Sequence, residues 1–479
     1  MWEISANTIG TETEYAITQG ELYENYVALS FDVISQAGDE NARSIRWDYR
    51  QESPIRDARG FSLPRSNAHQ DMLTDVPQLQ ITNVVAPNGG RMYVDHAHPE
   101  YSAPETTNAF EALQYDRAGD ALMKQSINRL CAQSGKLVRL YKNNVDGKGA
   151  SWGSHENYSI SRKVSFELLS QLMTLHFVSR QLYTGSGRVG LGERSESAGF
   201  QLSQRADYVQ SKVGLQTTFN RPIINTRDES HDVAGRRRFH VIVGDANCMD
   251  VPFVLKLGTT EILLRVLEDD NLRQKVESVI NSFQLEDPVE AFSLVSHDLS
   301  LAEQLPTWQG QRVRALDIQY ALLDLAKSMS GGVLDVNSRR KVLELWEQVL
   351  DDVSALAEAY SAARAGCGNV FSSNTAAQVG CGAWLTPRFE TAAHRLEWLF
   401  KWQLLESLRR KYECSWDNAR LRMFDLQWAE LSDQGVYERV KNRTMRLYSD
   451  EDIAYAMYHA PKSSRAWLRS ALVNKFPHD

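Results

Sequence analysis

The sequence predicts an α+β fold, on three observations. Before about residue 250, short segments alternate apolar and polar side chains, the period of a half-buried strand. From residue 259 onward, apolar residues recur at helical spacing over long stretches. The chain is also long, at 479 residues of which 42% are hydrophobic, which permits a sizeable core and two or more packed units.

The first element, residues 9–17, alternates so that Glu12 and Glu14 share one strand face. Two neighbouring carboxylates repel unless a cation or hydrogen-bond donors lie between them. Oxygen-rich pairs of this kind suit Mg²⁺; the plainer reading is an exposed face of solvated glutamates. Residues 44–64 differ, being dense in Arg, Asp and Glu, with two prolines and little periodicity. Long irregular segments inside compact domains are usually functional or disordered, and Trp47, Tyr49 and Phe61 argue for a loop that docks. Its length, charge and position before the next strand point to a gate over a site; an ordinary surface insertion is the simpler alternative.

Chemistry concentrates in residues 91–100. Arg91, Tyr93 and Asp95 alternate with Met92 and Val94, so a cation, a phenol and a carboxylate share one face. His96, His98 and Glu100 follow, and Pro99 is expected to end the strand. Such a face is an odd core and suits an active-site floor.

Residues 109–132 read as an amphipathic helix and 136–141 as a short strand. Residues 142–151 form a polar loop without the GxxxxGK[ST] of a phosphate-binding loop. His155 stands beside Glu156 and Asn157; taken alone, such a histidine is more often a structural hydrogen-bonding group than a catalytic one. Residues 164–182 are helical. The GxGxxG match at 185–190 follows a helix and opens none, so a dinucleotide fingerprint is rejected in favour of a loop. Arg205, Arg221 and Arg227 suit phosphate or carboxylate if they converge, and surface ion pairs if they do not. Residues 236–243 form a strand with Arg238, His240 and Ile242 on one face. Helices are expected at 260–283, 315–329, 338–363 and 383–412, and a surface loop at 365–382.

Composition excludes several classes. A net charge of −8 with 24% charged residues argues against general nucleic-acid binding. No run of about 18 apolar residues suggests a membrane span, and no basic-then-apolar leader is visible. Five cysteines without a CxxC pair suit a reducing compartment and offer no zinc framework. The expectation is a soluble, cytoplasmic protein.

Six stretches occur in order: GTETEYAI from residue 10, RMYVDHAHPEYSAPET from 91, YKNNVDGKGASWGSHENYSISR from 141, SQRADY from 203, RPIINTRDE from 221 and HVIVGDAN from 240. Together they resemble the family of enzymes that attach or remove the prokaryotic ubiquitin-like protein Pup. The resemblance spans nearly the whole chain. Two features are similar to the deamidase and depupylase branch rather than to the ligase branch. They are the strand ending VDHAHPEYS and the insertion RWDYRQESPIRDARGF from residue 46. The Glu397-Trp398 pair departs from the family's usual Asp-Trp.

The resemblance implies a glutamine synthetase-like form of the α+β fold. A twisted, mainly antiparallel sheet would carry the site on its concave face and be packed by helices. A catalytic domain would cover 1–412, with an insertion at about 40–80, and a small C-terminal domain 413–479. The implied cofactors are ATP and Mg²⁺, with nucleotide completing the site rather than serving as fuel. Glu12, Glu14, Tyr93 and Glu100 match metal-site positions. Arg91 matches a nucleotide-binding arginine, and Trp398 a position where an aromatic could stack on adenine. Arg205 and Arg227 lie in motifs near the nucleotide, and His155, His240 and His98 are further active-site candidates.

Asp95 matches the catalytic aspartate. The implied reactions are hydrolysis of the isopeptide between Pup and a substrate lysine, and deamidation of a C-terminal Gln of Pup. Asp95 would either attack the carbonyl or orient a water. Partners would be Pup and pupylated proteins, with neither nucleic acid nor membrane. Because Pup is acidic in the family, a local basic groove is expected, with Arg205, Arg221, Arg227 and Arg236 to Arg238 as candidates. An ATP-consuming Pup–protein ligase and a Pup-binding regulator without turnover are the competing readings.

Overall fold

The computed structural model describes residues 8–21, 23–37, 54–68, 83–190, 198–228, 235–329, 336–366 and 381–475. The strands in chain order are β1 (Ile9–Glu14), β2 (Ala16–Thr18), β3 (Asn83–Val85), β4 (Arg91–Asp95), β5 (His98–Ser102), β6 (Arg139–Tyr141), β7 (Ser154–Ser161), β8 (Arg188–Gly190), β9 (Gly199–Gln201), β10 (Val209–Gly214), β11 (Arg221–Asn225) and β12 (Arg236–Val241). Six of them form one sheet, ordered β12-β7-β1-β5-β4-β3. Every pairing within it is antiparallel. β10 and β11 form a separate parallel pair. An α+β architecture with a mainly antiparallel sheet is therefore what the chain adopts.

Alternation decides which face is covered. Along β1, Ile9, Thr11 and Thr13 are buried while Glu12 and Glu14 on the other face are half-buried. The apolar face meets helices. α1 (Tyr26–Ser35) and α2 (Ala109–Ser134) pack with Tyr15, Val84, Met92 and Tyr101. α3 (Phe166–Ser179), α4 (Gln181–Thr184) and α5 (Asp250–Glu268) pack with Ile9, Tyr158, Ile160, Phe239 and Val241. Close approach needs a missing side chain at one point: a Cβ on Gly119 of α2 would lie 2.1 Å from the Tyr101 ring. α2 starts where Asn108 Oδ1 accepts from the Glu111 N–H at 3.0 Å. It stops at Gly135, whose φ of 68° is the left-handed cap.

Beneath β1 lies a buried cluster of charges. Lys142 Nζ donates to Asp116 and, at 2.7 Å, to Asp120. Arg117 donates to Asp116 at 2.7 Å and to Asp250 at 3.1 Å. Thr13 Oγ1 and the Tyr15 hydroxyl complete it by donating to Asp116 and Asp120 at 3.2 and 2.8 Å.

Several boundaries differ from the sequence expectation. Pro99 does not end the strand: the chain reverses at His96 and Ala97, and Pro99 lies inside β5, paired with Val94. Pro99 lacks an N–H but its carbonyl still accepts from Tyr15 N at 2.9 Å. The helix expected over 260–283 is two. α5 begins earlier, because Pro252 sits in its first turn, where proline is tolerated. It ends at an Asp269 turn whose side chain accepts from Asn271 N at 3.0 Å, after which α6 (Arg273–Phe283) begins. The stretch 383–412 is broken by Pro387 and again before the helix Glu397–Lys411. α7 (Pro288–His297), α8 (Ala315–Lys327) and α9 (Val336–Gly366) complete the helical layer. Most of the loop expected at 365–382 lies outside the described residues.

The last stretch folds back on the sheet. The helix Asp450–Tyr458 lies along α2, and the helix Ala466–Lys475 sits on the turn before β4. Arg469 Nε donates to Gly89 O at 2.7 Å, and Asn88 Nδ2 donates to Ala456 O and to the Tyr101 hydroxyl, both at 3.0 Å. Gly89 has φ 81°, and a Cβ there would meet Ala466 O at 2.8 Å. Among the described residues, no helix is long and apolar enough to cross a membrane.

Candidate active site

The open face of the sheet gathers polar side chains from five strands. Register does the gathering. Glu14 pairs with Glu100, and Glu100 with Tyr93. Glu12 lies between His155 on β7 and Ser102 on β5, and Ser102 pairs with Arg91. His240 on β12 pairs with Asn157. Residues opposite one another on an antiparallel pair point the same way. Nine sequence-selected residues thus share one face: Glu12, Glu14, Arg91, Tyr93, Asp95, His98, Glu100, His155 and His240.

His155 is the hinge between the two β1 carboxylates. Its Nδ1 is 3.4 Å from Glu12 Oε2 and its Nε2 is 3.8 Å from Glu14 Oε1. A T-shaped contact at 5.0 Å joins its ring to His240, whose Nδ1 is 2.9 Å from Asn157 Oδ1. Gly153 makes room for it: a Cβ there would sit 2.0 Å from His155 Nε2. The Gly153 N–H also donates to Glu14 Oε2 at 3.0 Å.

Charge is unevenly resolved across the face. Burial pushes the Glu12 carboxyl up, but the His155 hydrogen bond and the Arg238 charge outweigh it and hold Glu12 well below the usual range. Glu100 goes the other way. Burial and the neighbouring charges of Asp95, Glu14 and Glu12 drive it far above the usual carboxyl range. Burial and Arg238 hold His240 far below the usual imidazole value, hence neutral. For Asp95, burial is outweighed by the His96 hydrogen bond and the charges of His96 and His155, and its carboxyl stays low. Tyr93 is a neutral phenol, raised by burial and Glu100, with Arg91 stacked 3.9 Å above its ring.

The residues present fit a divalent cation. Glu12, His155 and His240 form one set of converging ligand atoms, and Glu14, Glu100 and His155 another, each within 4.8 Å. A cation among these groups would relieve the repulsion that now raises Glu100.

The arginines separate into two kinds. Arg227 follows β11 and contributes to the field at His240; its Nε is buried without a hydrogen-bond partner among the described residues. A buried, unanswered donor is the feature expected of an anion site. The part of the 44–64 stretch that is described, from residue 54, docks here: Asp57 Oδ2 accepts from Thr226 Oγ1 at 2.7 Å, and Ala58 N donates to Thr226 O at 2.8 Å. Residues 44–53 lie outside the described residues. Arg205 is different. It is buried and bonded to Ser151 Oγ at 3.0 Å, Ile242 O at 3.0 Å and Trp152 O. Burial and the Arg221 charge lower its pKa to about 10. Arg205 braces the 151–152 loop, and its donors are taken by protein oxygens.

Two expectations are corrected. Trp398 cannot stack on a base: it is 0% exposed, its Nε1 donates to Leu182 O at 2.9 Å, and Trp384 packs against it. Its neighbour explains the pair. Glu397 accepts from Cys248 N and Met249 N, both at 3.1 Å, and from Trp428 Nε1 at 2.9 Å, so it caps α5. His98 does lie on the face, but its Nδ1 is 3.1 Å from Tyr15 O and its ring stacks on Trp152. Sequence reasoning missed Gly153, Ser102 and Asn157 as parts of the site. Only the register and a close approach in space reveal them.

Comparison with known proteins agrees with this arrangement. The profile of the Pup-ligase protein family matches residues 7–365 and 380–479. The chain is 38% identical over 485 residues to the depupylase of Acidothermus cellulolyticus, covering 98% of this chain and 88% of that one. It is 38% identical over 482 residues to the Pup deamidase/depupylase of Mycolicibacterium smegmatis, covering 98% and 89%. Similarity to the Pup–protein ligase of Kineococcus radiotolerans is 33% over 82% of this chain and 80% of that one. Among solved structures, the Pup ligase PafA in complex with ADP superposes with a TM-score of 0.68 at 27% identity, over 82% of this chain and 80% of that one. PafA in complex with Pup gives 0.71 at 24% identity over 98% and 83%, a likeness of fold.

Proposed function

The chain belongs to the Pup-ligase protein family, and we propose that it is a hydrolase of that family. It releases Pup from substrate lysines and deamidates a C-terminal Gln of Pup. The observation that carries this reading is Asp95, a carboxylate held low at the open end of β4 beside the carboxylate-rich floor. The relatives at 38% identity named depupylase and Pup deamidase/depupylase support hydrolysis over ligation.

Asp95 acts at the carbonyl carbon of the isopeptide, either by direct attack or by taking a proton from an attacking water. Low basicity keeps it ionised, which both routes need. Glu12, Glu14, Glu100 and Tyr93 would hold Mg²⁺, with His155 aligning the first two. Bound Mg²⁺ would supply a positive charge against the oxyanion that forms. Arg91 and Arg227 line the flanks where a nucleotide's phosphates would lie, and the ADP-bound PafA structure supports nucleotide as the cofactor. Arg227 is offered to an anion by its buried Nε. Residues 54–64 pack on the same segment and gate it; residues 413–479 act as a small C-terminal domain that steadies the floor. The described cysteines are all free, which supports a cytoplasmic location, with Pup and pupylated proteins as partners.

Purified protein with a Pup-conjugated substrate, Mg²⁺ and ATP tests the reading. The wild type is expected to release free Pup. Asp95→Asn should lose about 10³-fold or more in kcat while keeping its Tm and its nucleotide affinity. Conjugation of a Glu-ended Pup to lysine, with no release, would move the protein to the ligase class.

A further inference from the structure

The groups described so far serve the carbonyl side of the scissile bond. The nitrogen side needs its own proton, because an alkylamine leaves an acyl centre only when protonated. The histidines of the face are committed elsewhere: His155 to Glu12 and Glu14, His240 to Asn157, His98 to Tyr15 and Trp152. His96 is the histidine paired with Asp95 itself. Its Nδ1 is 3.0 Å from Asp95 Oδ1, and both side chains reach solvent, at 47% and 38% exposure.

Its backbone sharpens the point. His96 opens the turn between β4 and β5 with φ 53°, a conformation that glycine or asparagine adopts at lower cost. A non-glycine residue there stores about 1 kcal/mol or more of strain. α1 supports the turn from outside, Ser30 Oγ donating to Ala97 O at 2.8 Å. An ionisable ring thus occupies a position the backbone would give to another residue, in contact with the catalytic carboxylate. Strain kept at such a place points to use.

We propose that His96 is the general acid that protonates the departing nitrogen, the lysine Nζ in depupylation and ammonia in deamidation; the assignment rests on the depupylase reading above. Written for direct attack, the Asp95 carboxylate forms a bond to the carbonyl carbon. As the C–N bond breaks, the imidazolium of His96 passes its proton to the nitrogen. Water then adds to the acyl carbon and gives one proton to neutral His96, and the bond to Asp95 breaks to restore the carboxylate. The freed carboxylic acid ionises to solvent. When water attacks first, the same imidazolium proton goes to the same nitrogen.

The test compares full-length wild type with His96→Gly on two substrates. One is Pup joined to a lysine Nζ; the other is Pup carrying an aminocoumarin amide at the same carbonyl, whose weakly basic arylamine leaves without prior protonation. On the lysine conjugate, His96→Gly should lose about 10²–10³-fold in kcat with KM unchanged. On the arylamide it should run close to wild type. Glycine relieves the turn, so Tm should hold or rise, and added imidazole should restore part of the lost rate. Equal losses on both substrates would overturn the proposal and leave His96 as a positioning residue for Asp95. A wild-type rate on the lysine conjugate would overturn it outright. Wild type inert on both substrates would overturn the depupylase reading, and the proposal with it.

Discussion

At the scale of single residues, the site is a problem in where like charges go. Glu12, Glu14 and Glu100 meet on one face because β1 and β5 pair in the register Glu14 to Glu100. The sequence makes the β1 pair visible by alternation, and the 91–95 run visible in the same way. It does not make visible that Glu100 returns to stand beside Tyr93, because that requires the reversal at His96. Trp398 shows the opposite error. Its neighbourhood was legible only through a family pattern, and burial beside Trp384 removes it from the site. Gly153 was not legible at all, since its importance is the space it leaves. Gly153→Ala would drive a methyl to 2.0 Å from His155 Nε2. The imidazole is the free end of a side chain and would swing away, releasing Glu12 and Glu14 from their common partner. Expected is a loss of about 10- to 100-fold in Mg²⁺ affinity, read by titration calorimetry, with little change in Tm.

At the scale of elements, turns and caps were the least legible features. The β4–β5 turn lacks glycine and asparagine, the residues that usually announce one. The early start of α5 was obscured by Pro252 in its first turn, and its cap is Glu397, which is 147 positions from the helix start at Asp250. Strand alternation and the helical spacing of α2, α8 and α9 were legible, because each depends on local periodicity. The helix Ala466–Lys475 is held by ion pairs rather than by a deep apolar face: Glu105 accepts from Arg469 at 2.6 Å and from Arg465 at 2.7 Å. Burial works against the Glu105 charge, but these two arginines prevail and bring its pKa down to about 2. A carboxyl lowered on folding stabilises the docked helix above its unfolded value of about 4.3, and the contribution fades as pH falls towards the folded value. Glu105→Ala should therefore speed amide exchange in residues 466–475 by a few-fold to about 10-fold at neutral pH. The difference from wild type should shrink as pH falls from 4.5 towards 2. Hydrogen exchange followed by mass spectrometry measures both.

At the scale of the whole molecule, the sheet divides two regimes of charge. Above it, carboxylates are left under-compensated, ready for a cation. Below it, the charges of Asp116, Asp120, Asp250, Arg117 and Lys142 answer one another. The class of the fold was legible from strands followed by helices; this buried network was not, since its members lie up to 134 positions apart and each looks like an ordinary surface charge. Removing one partner strands the rest. Lys142→Met should cost about 3–5 kcal/mol, seen as a lower urea midpoint with an unchanged slope. The floor also has an unusual dependence on chain order. Residues 8–102 carry β1, β3, β4 and β5, yet the turn that aims β4 is gripped by Ala456, Ala466 and Arg469. A nascent chain still on the ribosome with its first 440 residues exposed would bear every catalytic side chain named here and lack that grip. The last part to be synthesised is thus what locks the first, so a hydrolase of this build is armed only near the completion of its own translation.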